Sequence, residues 1–138
     1  MIHIEKEVAV IVAVDQQNKM VMYPPVEMVF DPYLNLLDYQ LCPAQIDKQL
    51  LWKIEAICMK LVQSLGSPGL FAVELLLEKT GEVWVNETAP RVHNSGHHTI
   101  EAHYSSQYDM LWRILLNYPL GNTAAHSPSV LINLIGEA

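Results

Sequence analysis

The stretch GLFAVELLLEKTGEVWVNETAP, residues 69–90, predicts the β-hairpin from which the fold can be worked out. Two apolar runs, Leu70 to Glu78 and Glu82 to Thr88, flank a short turn that contains glycine, a pattern typical of paired antiparallel strands. If the strands pair through that turn, residues whose numbers sum to about 161 lie opposite each other. Glu74 and Glu87 are then cross-strand neighbours with side chains on the same face.

The predicted pairing of Glu74 with Glu87 indicates a cation site. Both glutamates have almost wholly apolar neighbours along their strands. Two adjacent carboxylates repel each other, which raises the pKa of at least one unless a cation lies between them. Oxygen ligands with room for water and phosphate oxygens favour Mg²⁺ over zinc, and Asn86 adds a neutral oxygen. The alternative is a pair of surface glutamates that point to solvent, or one glutamate turned toward a lysine.

The loop after the hairpin, RVHNSGHH at residues 91–98, is rich in hydrogen-bond donors. Arg91 can contact a phosphate or carboxylate through two parallel hydrogen bonds, and His93 and Asn94 follow it closely. Gly96 allows the backbone to approach a ligand where a Cβ would obstruct it. The loop therefore predicts an anion site beside the metal site.

A zinc site built from His93, His97 and His98 is the rival interpretation of this loop. No cysteine is nearby, and Asn94-Ser95-Gly96 interrupts the helix that would align His93 with His97. Taken one at a time, histidines are more often structural than catalytic. That applies to four of the histidines: His97, His98, His103 and His126.

The remaining sequence predicts an α+β fold in which helices pack on an antiparallel sheet. Helical spacing of apolar residues extends over 45–65 and 104–117, the first helix ending at Gly66. Further strands are predicted at 7–14, in a short return before Pro24, at 26–30, in LLDYQLCPA (36–44) and from Ser129 to Ala138.

The composition fits one globular domain, with 51% hydrophobic residues in 138. A net charge of −7 disfavours a nucleic-acid partner, because such proteins usually present a basic face. Cys42 and Cys58 are expected to be reduced, buried thiols of a cytoplasmic protein. The N-terminal sequence does not resemble a signal peptide, and no segment reaches transmembrane length, so no membrane partner is expected.

An antiparallel sheet that carries a two-glutamate metal site next to an anion-binding loop suits phosphoryl transfer. In such reactions a metal and cationic groups neutralise charge on the moving phosphate, and little covalent chemistry is required of the protein. From the residues alone, the prediction extends no further than this reaction class.

Three stretches carry a specific resemblance to a known family: VNETAPRVHNSGHHTIEA (85–102), SQYDMLWRILLNYPLG (106–121) and PSVLINLIGE (128–137). They closely resemble the C-terminal part of 5-(carboxyamino)imidazole ribonucleotide synthase, also called the phosphoribosylaminoimidazole carboxylase ATPase subunit, an ATP-grasp enzyme of purine biosynthesis. The resemblance implies the C-terminal half of an ATP-grasp domain over residues 1–118 and the start of a closing segment over 119–138.

The resemblance also implies roles for individual residues, none of which is a catalytic nucleophile. Glu74 and Glu87 would hold Mg²⁺ against the ATP phosphates, with Asn86 close to the nucleotide. Ribonucleotide-binding residues would be Arg91, His93 and Asn94. Glu7 would hold the ATP ribose, and the backbone at Ile2 would meet adenine. Two positions depart from the family: Val14, where arginine is frequent, and Phe30, where many members have histidine.

The activity implied by the resemblance is a carboxylation driven by ATP. Bicarbonate is phosphorylated, and the exocyclic amine of 5-aminoimidazole ribonucleotide is then carboxylated, with release of ADP and phosphate. Two alternatives remain open, namely another ATP-grasp carboxylating enzyme related to biotin carboxylases and a non-catalytic binding or assembly module. The biotin-carboxylase alternative is not expected to retain the sequence RVHNSGHH.

The chain is also shorter than members of the family. Members have an N-terminal domain and a first ATP-grasp half, whose lysines hold the ATP phosphates. The chain therefore resembles an excised piece of such an enzyme. We expect it to be inactive alone and to form weak homodimers through apolar surface that the missing half would cover.

Overall fold

The fold is an antiparallel sheet with packed helices, as the sequence predicts, and the helices lie on both faces. A computed structural model describes residues 3–33 and 36–134. Its strands are β1 (Ile4–Val14), β2 (Met20–Met22), β3 (Val26–Phe30), β4 (Leu37–Cys42), β5 (Gly69–Glu78), β6 (Val83–Ala89) and β7 (Ser129–Ile132). The helices are α1 (Lys48–Leu65), α2 (Thr99–Ala102) and α3 (Gln107–Leu115), and a 3₁₀ turn spans Asn94–Gly96. No helix in this part of the chain is long and apolar enough to cross a membrane.

Strand β1 lies at the centre of the sheet. The order is β6-β5-β1-β3-β4-β7, with β2 also paired to β1, and all neighbours are antiparallel. From Val8 to Val14 every residue of β1 is buried. This explains its nearly continuous run of valine, alanine and isoleucine, since a strand covered on both faces cannot alternate apolar with polar residues.

Helix α1 covers one face of the sheet. Ile54, Cys58 and Val62 are its buried residues, and they pack against side chains of β1 and β5. The helix begins three residues later than the predicted Gln45, because Asp47 caps it by accepting a hydrogen bond from Leu50 N at 2.8 Å. It ends at Gly66, whose φ of 60° is the left-handed conformation that glycine adopts without strain.

Helix α3 covers half of the opposite face. Met110 and Ile114 pack against Ile11 and Ala72 in a second core. Helix α3 is shorter than the predicted 104–117. Ser106 accepts a hydrogen bond from Asp109 N at 3.1 Å and caps it. Before that cap the chain is extended, since Tyr104 N donates to Ala124 O at 3.2 Å, and this pairing is incompatible with a helix.

Strand β7 adds an edge to the sheet by pairing with β4. The predicted strand from Ser129 to Ala138 is observed as Ser129–Ile132, and residues 135–138 lie outside the described part of the chain. Because β7 belongs to the same sheet, the described part of residues 119–138 joins the main domain through backbone hydrogen bonds. The proposed boundary at residue 118 stays a prediction.

The packing of α1 on the sheet predicts that Ile54→Ala destabilises the chain. Ile54 is fully buried, and loss of such a side chain typically costs about 2–5 kcal/mol of unfolding free energy. Urea unfolding measures this effect. The control Trp52→Ala, at a side chain 67% exposed on the same helix, should change stability by no more than about 0.5 kcal/mol. Equal losses in the two variants would contradict this packing.

Candidate functional site

Glu74 and Glu87 are directly opposed across the β5–β6 hairpin, which confirms the predicted register at this point. The register then shifts between Glu74 and Leu75, so that Leu75 pairs with Val85 instead of Asn86. Asn86 is the extra residue of this β-bulge. The carboxylates therefore share one face of the sheet, and the bulge lies immediately beside them.

Glu7 lies on the same face of the sheet as this pair. Ala9 is the partner of Glu74 on β1, and Glu7 is two residues away along the strand. The pKa of Glu74 is raised by burial and by the charges of Glu87 and Glu7, and burial also raises the pKa of Glu7. Three carboxylates thus face one region of the sheet that α3 leaves uncovered.

No permanent cation compensates these carboxylates within residues 3–33 and 36–134. The salt bridges of lysine and arginine there involve other acids, and the group nearest Glu74 is His93, whose Nδ1 lies 3.6 Å from Glu74 Oε1. Burial lowers the pKa of His93, with Arg91 acting in the same direction and Glu87 opposing it. A neutral His93 near pH 7 leaves the carboxylate charge uncompensated.

The residues of this face fit a magnesium ion. Carboxylate oxygens are the ligands that Mg²⁺ prefers, and the raised pKa of Glu74 means that its ionised form is disfavoured when no cation is bound. Asn86 and Glu87 are exposed, which leaves room for water or phosphate oxygens around an ion. Among the described residues, neither Glu74 nor Glu87 is turned toward a lysine, since the lysine salt bridges involve Glu27 and Glu82.

The loop at 91–98 is held in place by a buried glutamine of α3. Gln107 is fully buried; its Oε1 accepts from His93 N at 2.9 Å, and its Nε2 donates to His93 O at 2.8 Å. Gln107 N also donates to Thr99 Oγ1 at 2.9 Å, and Thr99 Oγ1 donates to Gly96 O at 2.6 Å. These bonds fix His93 next to Glu74.

Gly96 is required because the loop passes directly over Gln107. A Cβ at position 96 would lie 2.7 Å from Gln107 Cδ, closer than atoms in contact can approach. The close approach that the sequence predicted at Gly96 is thus made to another side chain of the protein. Gln107 and Thr99 were missed by sequence reasoning, since nothing local marks a buried glutamine that pairs with a backbone 14 residues away.

The other polar residues of the loop divide between solvent and core. Arg91, Asn94 and His97 are exposed, and Arg91 donates to Val92 O at 3.0 Å. His97 stacks on Tyr108 with ring centroids 6.1 Å apart, whereas His98 is buried. His93, His97 and His98 form no metal-ligating group in the described part of the chain, so the zinc interpretation of the loop is not supported.

The remaining positions named from the family resemblance are Ile2, Val14 and Phe30. Ile2 lies outside the described residues. Val14 is buried on the α1 face of the sheet, opposite the carboxylates. Phe30 packs against a small core that includes Ala9 and Met28, next to Glu7 along the sheet. Of the two departures, Phe30 is the one that adjoins the candidate site.

Comparison with known proteins gives a consistent set of similarities. A model of the ATP-grasp domain matches residues 1–108. The chain is 39% identical over 137 residues to the chloroplastic phosphoribosylaminoimidazole carboxylase of Vigna aconitifolia, covering 96% of this chain and 23% of that protein. It is 34% identical to N5-carboxyaminoimidazole ribonucleotide synthase of Bacillus subtilis, covering 95% of this chain and 34% of the relative.

A crystal structure of N5-carboxyaminoimidazole synthase from Aspergillus clavatus, in complex with ADP and 5-aminoimidazole ribonucleotide, also superposes well. The TM-score is 0.90 at 30% identity, with 100% of this chain and 37% of that chain covered. The chain therefore spans roughly a quarter to a third of the lengths of the relatives that it matches.

The electrostatics of the carboxylate face predict that Glu74→Gln stabilises the metal-free chain at about pH 7. A raised pKa means that the folded state binds the Glu74 proton more tightly than the unfolded state does. Ionised Glu74 therefore lowers stability above its folded pKa, and this penalty disappears below the ordinary value of 4.5. The gain should exceed the effect of about 0.5 kcal/mol that is common for surface substitutions.

Thermal unfolding at about pH 7 and about pH 4, with and without Mg²⁺, measures this prediction. Mg²⁺ should stabilise the unmodified chain and have little effect on Glu74→Gln. Glu101→Gln, at an exposed glutamate of α2, is the matched control. If Glu74→Gln behaved like this control at both pH values, the carboxylates would not be in electrostatic conflict.

Proposed function

Because this chain belongs to the ATP-grasp family, we propose that it forms one wall of the active site of an N5-carboxyaminoimidazole ribonucleotide synthase. Such an enzyme is an ATP-dependent carboxylating ligase of de novo purine biosynthesis, acting on 5-aminoimidazole ribonucleotide and bicarbonate. The observation that carries the proposal is the adjacency of the Glu74–Glu87 pair and the RVHNSGHH loop, joined by the contact of His93 with Glu74. The names of the relatives support the substrate class.

We propose that the carboxylate face binds the nucleotide. Glu74 and Glu87 hold Mg²⁺, with Asn86 beside them and Glu7 on the ribose, as the shared face of these residues supports. When bound, the ion neutralises charge on the ATP phosphates during transfer of the γ-phosphoryl group to bicarbonate. The chain's own part is to orient the phosphates, and no side chain acts as a nucleophile. The adenine contact at Ile2 is part of the same proposal.

The loop is proposed to bind the ribonucleotide. Arg91 is exposed and charged, which suits a two-point contact with the ribonucleotide phosphate. His93 and Asn94 offer neutral polar groups next to it, and Gln107 holds the backbone of His93 in a fixed position. This arrangement brings the amine to be carboxylated near the phosphorylated bicarbonate. Exclusion of water from that labile intermediate requires a second wall.

We also propose a domain organisation, a weak self-association and a cellular location for this chain. Residues 1–118 form the C-terminal half of an ATP-grasp domain, and residues 119–138 begin a closing segment. Chains associate weakly as homodimers through exposed apolar side chains, which include Trp112, Leu115, Leu116 and Tyr118 at the end of α3 and just after it. The enzyme acts in the cytoplasm, and its carboxylating chemistry is also classed with the lyases.

A chimera tests the assigned roles. The segment of Bacillus subtilis synthase that matches this chain over 131 residues would be replaced by the present sequence. Glu87→Gln should lower kcat by about 100-fold, the scale of losing a group that stabilises transition-state charge. Arg91→Ala should raise KM for the ribonucleotide by about tenfold or more, with little change in KM for ATP.

Arg113→Ala is the matched control, because Arg113 Nε lies 2.8 Å from Asp109 Oδ2 within α3 and the proposal assigns Arg113 no contact with a substrate. It should leave both KM values unchanged. An unaltered kcat for Glu87→Gln would remove the glutamate from the mechanism. Equal effects of Arg91→Ala on the two substrates would place the loop at the nucleotide instead.

The 138-residue chain alone is expected to fold but not to catalyse. Its open carboxylate face cannot exclude water from a phosphorylated bicarbonate. The measurement is ADP release with ATP, Mg²⁺, bicarbonate and 5-aminoimidazole ribonucleotide together. Ribonucleotide-dependent turnover within the usual enzyme range of about 1–1000 per second would show that these residues contain a complete active site.

A further inference from the structure

A buried group of metal-ligand side chains lies apart from the carboxylates. Cys42 is the last residue of β4, His98 directly precedes α2, and His103 directly follows it. Their exposed fractions are 3%, 5% and 5%, and one potential ligand atom from each lies within 4.8 Å of the others. The sulfur of Cys42 is 4.0 Å from Nε2 of His103.

Apart from the contact between Cys42 and His103, the ring nitrogens of this group lack well-formed hydrogen bonds. The ring nitrogens of His98 are buried, and their contact with the Ser95 backbone falls short of a well-formed hydrogen bond. Nδ1 of His103 is equally buried and makes no hydrogen bond within residues 3–33 and 36–134. Gln40, on the same face of β4 as Cys42, has a buried carboxamide in the same condition. Buried polar groups are nearly always paired, so several unpaired groups in one region mark a place where water or a ligand can bind.

Burial favours the uncharged forms of all three side chains. Burial, assisted by the neighbouring His103, lowers the pKa of His98 to about 4, and burial also lowers the pKa of His103. Both rings are therefore neutral near pH 7, and neutral imidazole is the form that binds metals. Burial raises the pKa of Cys42 to about 11, so zinc binding at this position requires the thiol to lose its proton to solvent.

We propose that Cys42, His98 and His103 form a binding site for Zn²⁺. One thiolate and two imidazoles are donors that zinc prefers over the oxygen ligands of the Glu74–Glu87 face. Ligand atoms around a tetrahedral zinc lie about 3.5 Å apart, given its bond lengths to sulfur and nitrogen, so the observed group needs only a small contraction. Three protein ligands leave one position for water or another oxygen donor.

Such a site would connect the sheet to the segment that bears the RVHNSGHH loop. Cys42 lies 61 residues from His103 in sequence, and His98 is the last residue of that loop. Bound zinc would restrict the loop from its C-terminal side, as Gln107 does at His93. The site shares no ligand with the proposed magnesium site, so metal binding at the two sites can be measured separately.

Cobalt substitution tests the proposal on the unmodified 138-residue chain. After treatment with a chelator, titration with Co²⁺ should give one equivalent of binding, tetrahedral visible absorption and a thiolate-to-cobalt charge-transfer band, and Zn²⁺ should displace the cobalt. Cobalt on Glu74 and Glu87 alone would produce no thiolate band. Zn²⁺ should also raise the melting temperature of the chain.

Cys42→Ser should abolish the thiolate band and weaken Zn²⁺ binding. The loss of affinity should exceed about 10- to 100-fold, which is the effect of removing a residue that only hydrogen-bonds to a metal ligand. Cys58→Ser and His126→Ala are matched controls that should retain both the band and Zn²⁺ binding, because Cys58 is on the buried face of α1 and His126 is exposed. Absence of the band in the unmodified chain would overturn the proposal, leaving a packed cluster of rings in which His98 and His103 lie 5.1 Å apart. Persistence of the thiolate band in Cys42→Ser would also overturn the proposal.

Discussion

The burial of β1 on both faces is the constraint on which the rest of the structure depends. Its apolar residues must be covered by α1 on one side and by α3 on the other, and its edges must pair with β5 and β3. Beyond the part of the second face that α3 covers, the carboxylates of Glu7 and Glu74 lie beside the Asn94–Gly96 turn, which also contacts β1. The candidate site is thus built where the cover of the central strand passes from a helix to a loop.

The positions of strands follow from sequence because local patterns specify them. Apolar runs and a glycine turn were sufficient to pair Glu74 with Glu87, and the cap at Asp47 is a local signal that could have corrected the start of α1. Contacts distant in sequence were not predictable in this way. Gln107 on the backbone of His93, and Cys42 beside His98 and His103, depend on how separate elements pack.

The candidate site combines a rigid part and an exposed part. Glu74 lies on a strand bordered by two others, and the backbone of His93 is fixed by a buried carboxamide. Arg91 and Asn94, in contrast, project from the same loop into solvent. Ligand-binding groups on a fixed backbone lose little conformational freedom when a ligand arrives, whereas long exposed side chains can adjust to its phosphate.

The bulge at Asn86 changes the parity of strand β6. In a regular strand Val83 and Glu87, four residues apart, would point to the same side. Here Val83 packs into the core under α1, while Glu87 faces Glu74 on the other side of the sheet. One inserted residue therefore lets a single short strand place an apolar side chain in the core at one end and a carboxylate on the opposite face at the other end. Deleting Asn86 would turn either Val83 out of the core or Glu87 away from Glu74.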